Sequence, residues 1–258
     1  METRLDEVAD GIVRVSTYIP DLAGLTFNQF ILRAEEPLLF HTGMAPLFPL
    51  VAAAIGRVLP LESLRWIAFG HVEADECGAL GRFLDACPRV RVAHSVVGCG
   101  MSLGSGPVTP VPLSRSTPLD LGGKRLRTVP TPHVPHGWDA HVLYEETSRA
   151  LLCGDLLAHG GDGPATVGED QIERIVEAAV ETERELGSTA CTPSLATCAH
   201  ELAALEPRAL ALMHGSTILG DGRRALQMLA HAFTTAFDQN SDHRRNGRLW
   251  DDLERSRL

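Results

Sequence analysis

Three short apolar segments of this chain each lead into a histidine or an aspartate that has a glycine beside it. The segments and their polar residues are Trp66 to Phe69 with His71, Ala150 to Cys153 with Asp155, and Ala209 to Met213 with His214. Strands of an open sheet gather polar residues beyond their ends, because loops converge there without disturbing the core. Any one of these residues could simply close a turn, but their joint placement predicts a shared polar site.

The segment from Gly70 to Gly78 has the densest set of chemical groups. It follows a predicted strand, precedes a helical pattern, and contains His71, Glu73, Asp75 and Glu76. Histidine with carboxylates at alternate positions is the ligand set of iron, manganese or zinc rather than of copper. An acidic helix N-terminus, with Asp75 as N-cap, is the alternative for Glu76. It does not explain His71 and Glu73.

A fourth candidate, His136, lies in a proline-rich loop after a predicted strand from Arg125 to Val129. Three prolines restrict the backbone of this loop, which suits a side chain that must be held in place. His133 lies three residues earlier and is a competing candidate.

At 258 residues the chain could form one large domain or two small ones. No linker of convincing length divides it, so we expect a single domain over residues 1–258. Its core is predicted at about 10–237, and the charged tail at 240–258 is predicted to be peripheral. The net charge of −10 argues against nucleic acid or an anionic membrane surface as a partner.

Targeting and membrane segments are not predicted. The charged start of the chain lacks the apolar region of a signal peptide. Two uncharged stretches, Pro37 to Gly56 and Val92 to Ser114, are interrupted by proline or glycine and do not suit a bilayer. The six cysteines, at positions 77, 87, 99, 153, 191 and 198, form no CxxC pair. We therefore expect reduced thiols in a cytoplasmic protein.

The order and spacing of six of these residues resemble the metal ligands of the metallo-β-lactamase fold. They are His71, Glu73, Asp75, His136, Asp155 and His214. Glu73, where hydrolases of that fold usually have a histidine, resembles the diiron domain of flavodiiron proteins and the related stand-alone oxygen-binding diiron proteins. Three segments, Phe27 to Phe30, Phe40 to Gly43 and Pro132 to Trp138, are similar to the stand-alone group. The resemblance implies an α/β fold, an αββα sandwich of two mixed sheets flanked by helices.

The resemblance also implies the roles of these side chains. His71, Glu73 and His136 would hold one iron, Asp75 and His214 the other, and Asp155 would bridge them, together with an oxo, hydroxo or peroxo group. Zinc or manganese are the alternative metals. No catalytic residue beyond the ligands is implied. Flavodiiron proteins have a histidine where this chain has Glu76, so either Glu76 replaces that ligand or the second metal has one protein ligand fewer.

The function implied is that of a non-haem diiron protein that binds, and could reduce, O2 or NO. It would act as a sensor or as a reductase served by a separate donor or signalling partner, and a homodimer is expected. The stretch after His214 is shorter than the ~100 residues of a common domain, so we expect no flavodoxin domain and no flavin. The alternative is a dinuclear zinc hydrolase of an ester, thioester or phosphoester, in which Asp75 would orient a metal-bound hydroxide. A metal-free binding module is a third, weaker interpretation.

Overall fold

The computed structural model describes residues 2–104, 108–189 and 194–237. Their strands are β1 (Thr3–Ala9), β2 (Ile12–Ile19), β3 (Leu25–Leu32), β4 (Leu38–Phe40), β5 (Trp66–Ala68), β6 (Arg91–Ser95), β7 (Val111–Leu113), β8 (Leu119–Asp120), β9 (Arg125–Pro130), β10 (His141–Glu145), β11 (Ala150–Leu152), β12 (Thr166–Val167), β13 (Ala209–Ala211) and β14 (Thr217–Leu219). Their α-helices are α1 (Phe48–Ile55), α2 (Ala74–Cys77), α3 (Leu80–Ala86), α4 (Ile172–Leu186), α5 (Ser194–Ala203) and α6 (Gly222–Ala236). The predicted tail at 240–258 and Cys191 lie outside the described residues.

The strands form two mixed sheets of seven strands each. The first has the order β1-β2-β3-β4-β5-β6-β7, antiparallel from β1 to β4 and parallel from β4 to β7. The second has the order β12-β14-β13-β11-β10-β9-β8. Within it, β12 pairs parallel with β14 and β11 pairs parallel with β13, while the other neighbours are antiparallel.

The two sheets pack face to face, and helices cover their outer faces. Phe30 of the first sheet and Leu143 of the second belong to the apolar layer between the sheets. Val51 of α1 and Phe83 of α3 pack on the outer face of the first sheet, and Ile175 of α4 packs on that of the second with α5 and α6. Burial of apolar surface on both faces of each sheet stabilises this four-layer arrangement. The predicted αββα sandwich is confirmed.

Strand β3 is covered on both of its faces, and most of its residues are apolar. All eight of its residues are buried. Phe27 and Ile31 point to the helix layer, whereas Phe30 and Leu32 point to the layer between the sheets. Alternation along a strand sends successive side chains to opposite faces, so apolar residues are found on both faces of this covered strand. Its buried polar residues Thr26 and Asn28 form hydrogen bonds with the loop that carries His214.

The edge of the sheets at which polar residues gather follows from strand direction. Strand β10 is antiparallel to both β9 and β11, and β11 is parallel to β13. The strands β9, β11 and β13 therefore run in one direction and end at the same edge. Each is followed there by one candidate residue, in turn His136, Asp155 and His214.

Some local details differ from the sequence pattern or add to it. The sequence has no apolar or alternating pattern that predicts strands β1, β7, β8, β12 and β14. The five cysteines among the described residues are free thiols, as expected. Within those same residues, no helix has the length and apolar character needed to cross a bilayer.

Candidate metal centre

The segment after β5 turns sharply into the short helix α2. Glu73, with extended backbone, is the N-cap of this helix, and its side chain makes no capping hydrogen bond. The alternative in which Asp75 is the N-cap is wrong, because Asp75 lies inside the first turn. The side chain of Glu73 is thus free to point toward the histidines beside it.

The first group of side chains consists of His71, Glu73, His136 and Asp155. One ligand atom from each lies within 4.8 Å of the others. Glu73 Oε2 lies 2.7 Å from His71 Nε2 and 2.9 Å from His136 Nε2. Asp155 Oδ2 lies 3.7 Å from His71 Nε2 and 3.4 Å from His136 Nε2. Two imidazoles and two carboxylates therefore converge on one point.

The second group consists of Asp75, Asp155 and His214, whose ligand atoms also lie within 4.8 Å of one another. His214 Nε2 is 3.2 Å from Asp75 Oδ2 and 3.4 Å from Asp155 Oδ1. Asp155 thus turns Oδ2 toward the first group and Oδ1 toward the second. This is the arrangement that a carboxylate bridging two cations needs.

The electrostatics of the cluster reflect how closely its carboxylates approach its histidines. Burial would lower the pKa of His71, but Glu76, Glu73 and Asp155 outweigh it and raise that pKa to about 12. Burial likewise opposes Asp155 and Asp75 at His214, where the net effect raises the pKa to about 10. Hydrogen bonds with His136 and His71 hold the pKa of Glu73 far below its usual range. Cationic histidines compensate the carboxylates, and metal ions would take over this role.

These residues fit a metal centre by a further criterion, which is that some of their buried polar atoms make no hydrogen bond. Asp75 Oδ1, Asp155 Oδ1 and His136 Nδ1 are buried and have no hydrogen-bond partner. Buried polar atoms are almost always paired, so unpaired ones at one place call for another occupant. Imidazole and carboxylate donors suit iron, manganese and zinc.

Two other sequence candidates lie outside both groups. Glu76 is fully buried on the far side of His71, where its Oε1 lies 3.3 Å from His71 Nδ1 and 3.3 Å from His41 Nε2. His133 is exposed, with a left-handed backbone conformation (φ 62°). The structure therefore brings together the six main candidates and places neither Glu76 nor His133 with them.

Sequence reasoning missed the residue that holds three loops of the site together. Asp139 Oδ2 accepts a hydrogen bond from the backbone N–H of Val72 at 3.1 Å and lies 3.0 Å from His94 Nε2. The backbone carbonyl of Asp139 accepts a bond from the Ser95 hydroxyl at 2.8 Å. These partners are far apart in the chain, so no local pattern could have identified Asp139.

His214 is supported from the first sheet. Its Nδ1 lies 2.8 Å from the carbonyl oxygen of Thr26, which can only accept, so Nδ1 donates and Nε2 faces the carboxylates. Asn28 donates from its side-chain amide to the carbonyls of Leu212 and Gly215, both at 2.9 Å. The loop that carries His214 is thereby fixed to β3 on both sides of the histidine.

An apolar cavity opens from the cluster toward the helices of the second sheet. Its volume is about 630 Å³, and five of the six clustered side chains, all but His71, line one end of it. The walls include Leu25, Phe27, Leu156, Leu157, Leu229 and Phe233. The cluster is therefore reached from an apolar space as well as from the exposed side of Glu73 and His136.

Comparison with known proteins agrees with this architecture. A sequence profile described as ODP family beta lactamase matches residues 25–215. Diflavin flavoprotein A 2 of Synechocystis sp. is 26% identical over 137 residues, which are 52% of this chain and 24% of that protein. Aligned by structure, the rubredoxin oxygen:oxidoreductase of Desulfovibrio gigas has a TM-score of 0.74 at 19% identity and covers 90% of this chain.

The flavodiiron protein of Giardia intestinalis has a TM-score of 0.79 at 15% identity over 91% of this chain. The fold is therefore the metallo-β-lactamase fold of flavodiiron cores. The chain spans 61% of the D. gigas chain and 60% of the Giardia chain, so these proteins contain further segments that the match does not include.

Proposed function

The chain belongs to the ODP family of beta-lactamase-fold proteins, and from this we propose that it is a non-haem diiron protein that binds O2 or NO. The observation that supports this most directly is the position of Asp155, whose two oxygens face two separate groups of donors. The names of the solved relatives, a flavodiiron protein and an oxygen oxidoreductase, favour iron and O2.

The first iron would be held by His71, Glu73 and His136, the second by Asp75 and His214, and Asp155 would lie between them. Two divalent ions carry four positive charges, of which the three carboxylates cancel three. The remaining positive charge favours an anionic ligand at the centre. When bound, two ferrous ions would supply one electron each to O2.

The protein's own contribution is to hold the donors, shield the buried ones from water and admit the ligand. Asp155 and His214 are almost fully buried, at 9% and 7% side-chain exposure, so water competes weakly there. The apolar cavity suits a small uncharged diatomic molecule, since apolar walls do not bind water strongly. Phe27 packs edge-on against His214 at 5.0 Å between ring centres, and both side chains line this cavity.

Reduction beyond two electrons needs a further source. We place that source in a separate electron-donor protein if the chain is a reductase. If the chain is a sensor, a signalling partner would instead respond to the liganded centre.

The test is to purify the protein without oxygen, measure its metals and then admit air. We expect about two irons per chain and a new visible absorption on exposure to O2. His136→Ala should abolish that absorption, and His133→Ala should keep it. Zinc in place of iron, with turnover of a simple ester that His136→Ala abolishes, would contradict the proposal and select the hydrolase instead.

A further inference from the structure

Glu76 is the carboxylate of the segment from Gly70 to Gly78 that turns away from the cluster. Its side chain is fully buried, and Oε1 lies within ion-pair distance of His71 Nδ1 and of His41 Nε2, 3.3 Å in each case. Its Oε2 accepts a hydrogen bond from the backbone N–H of His71 at 2.7 Å. Both the ring and the backbone of His71 thus face this one carboxylate.

The residues around Glu76 leave space for its carboxylate. A side chain at Gly70 would place its Cβ 3.1 Å from the carboxylate, and one at Gly154 would place it 3.2 Å from Oε1. The backbone N–H of Thr42 donates to the Glu76 carbonyl at 2.7 Å. Two glycines, which precede His71 and Asp155 in the chain, therefore leave the room that this carboxylate occupies.

His41 adds an independent sign that the pairing is specific. It is fully buried, and its backbone has a positive φ of 66°, which is uncommon for any residue other than glycine. Its Nε2 is buried and makes no hydrogen bond, and Glu76 Oε1 lies within ion-pair distance of it. A strained, buried imidazole beside a buried carboxylate persists when the surrounding structure requires the pair.

The consequence for His71 concerns which ring nitrogen faces a metal. Nδ1 of His71 faces Oε1 of Glu76 at 3.3 Å, whereas Nε2 faces Glu73 and Asp155. A carboxylate oxygen is an acceptor, so Nδ1 would carry the proton and Nε2 is left for the metal. Carboxylates behind metal-bound histidines fix the tautomer and make the imidazole a better donor. His214 has only a neutral carbonyl, that of Thr26, behind its Nδ1.

We propose that Glu76 is a positioning residue that orients His71 toward the first metal position, and that the second position, which Glu76 does not reach, is the weaker of the two. This rests on the ligand set of the proposed function, but not on iron or on O2. The first position has three side chains of its own besides Asp155, and the second has two. Glu76 therefore strengthens the position that already has more donors.

The experiment titrates metal-free protein with Zn²⁺ alone and resolves two affinities by competition with a chelating dye. For Glu76→Gln we expect the tighter affinity to fall on the order of 10–100-fold and the weaker one to change far less. Glu145→Gln is the matched control, because Glu145 is also fully buried but accepts its hydrogen bonds at the far end of β10. It should leave both affinities unchanged.

Double variants assign the two affinities. In a His214→Ala background, Glu76→Gln should still weaken the remaining site, whereas in a His71→Ala background it should have no further effect. Histidine ring NMR of the Zn²⁺ form should also show a changed Nδ1–H resonance in Glu76→Gln. Loss of the weaker site alone would show that Glu76 is a ligand of the second metal and overturn the proposal. So would two equal affinities in the unsubstituted protein.

Discussion

The two metal positions of this centre differ in exposure and in the number of their donors. Glu73 and His136 of the first position have side-chain exposures of 48% and 27%, whereas Asp75 and His214 of the second have 17% and 7%. The position with more protein donors is therefore the one nearer to solvent. The more deeply buried position depends on fewer side chains and shares Asp155 with its neighbour.

The contrast between the two positions distinguishes retention of the metal from protection of the bound ligand. Burial alone would not distinguish these two properties. A metal ion is retained by the number and orientation of its donors, while the reactivity of a bound ligand depends on how well water is excluded. The first position favours retention, and the second favours a protected ligand. Four predictions test this division, beginning with the residue that both positions share.

Asp155→Ala should lower the metal affinity of both positions together. Because its two oxygens face the two groups, we expect both Zn²⁺ affinities to fall by more than the ~10–100-fold that loss of an outer hydrogen-bonding partner gives. Chelator competition measures both affinities. Asp162→Ala, at an exposed carboxylate that pairs with Arg4, is the control and should bind as before. Loss of a single affinity would show that Asp155 serves one metal.

His136→Ala should affect the first position alone. Its Nε2 is 2.9 Å from Glu73 and belongs to the first group but not to the second. We expect one metal per chain to be lost, as measured by metal analysis after dialysis. His133→Ala in the same loop should retain both metals, because the exposed His133 is outside both groups. If His133→Ala loses the metal instead, the two histidines have been assigned in the wrong order.

The pH dependence should also differ between the positions. In the metal-free protein the pKa of His71 is raised to about 12, that of His214 to about 10, and that of His136 is raised as well. Stability from these charged histidines is present below their unfolded pKa and is lost only as pH rises through the raised values. Metal binding must expel the protons, so affinity should rise with pH.

Near pH 7 the first position should release about two protons and the second about one, since two histidines face the first and one faces the second. Calorimetry in buffers of different ionisation enthalpy counts these protons. A site whose affinity does not change between pH 6 and pH 8 would contain histidines that are already neutral, contrary to the charges argued above. The affinity that rises more steeply with pH would thus belong to the first position, and the other affinity to the second.

The strand ends explain how much of the site could be predicted from sequence. The short apolar runs before His71, Asp155 and His214 could be predicted as strands from the sequence. Buried strands consist mainly of apolar residues, and a short run of such residues is visible in the sequence. The two sheets and their helices followed from the family resemblance that these residues support. Strands such as β8 and β12, with two residues each, are too short for any periodic pattern to reveal.

The direction of Glu76 could not be predicted, and the reason is local. Successive residues of a helix point about 100° apart, so Asp75 and Glu76, adjacent in α2, face opposite sides of the site. Sequence adjacency made both look like ligands. The partner that fixes the direction of Glu76 is His41, which directly follows strand β4. Its contact with Glu76 exists only after the first sheet has formed.

The smallest expected effect concerns how a ligand reaches the buried position. Ala179 of α4 lines the apolar cavity, whereas the neighbouring Ala178 does not. Ala179→Leu should narrow the cavity and slow the reaction of the diiron protein with O2 several-fold, while both metals remain bound; Ala178→Leu should react at the original rate. Stopped-flow absorbance measures this. If the two variants react equally fast, O2 enters past the exposed Glu73 and His136, and the first position is the side on which the ligand arrives.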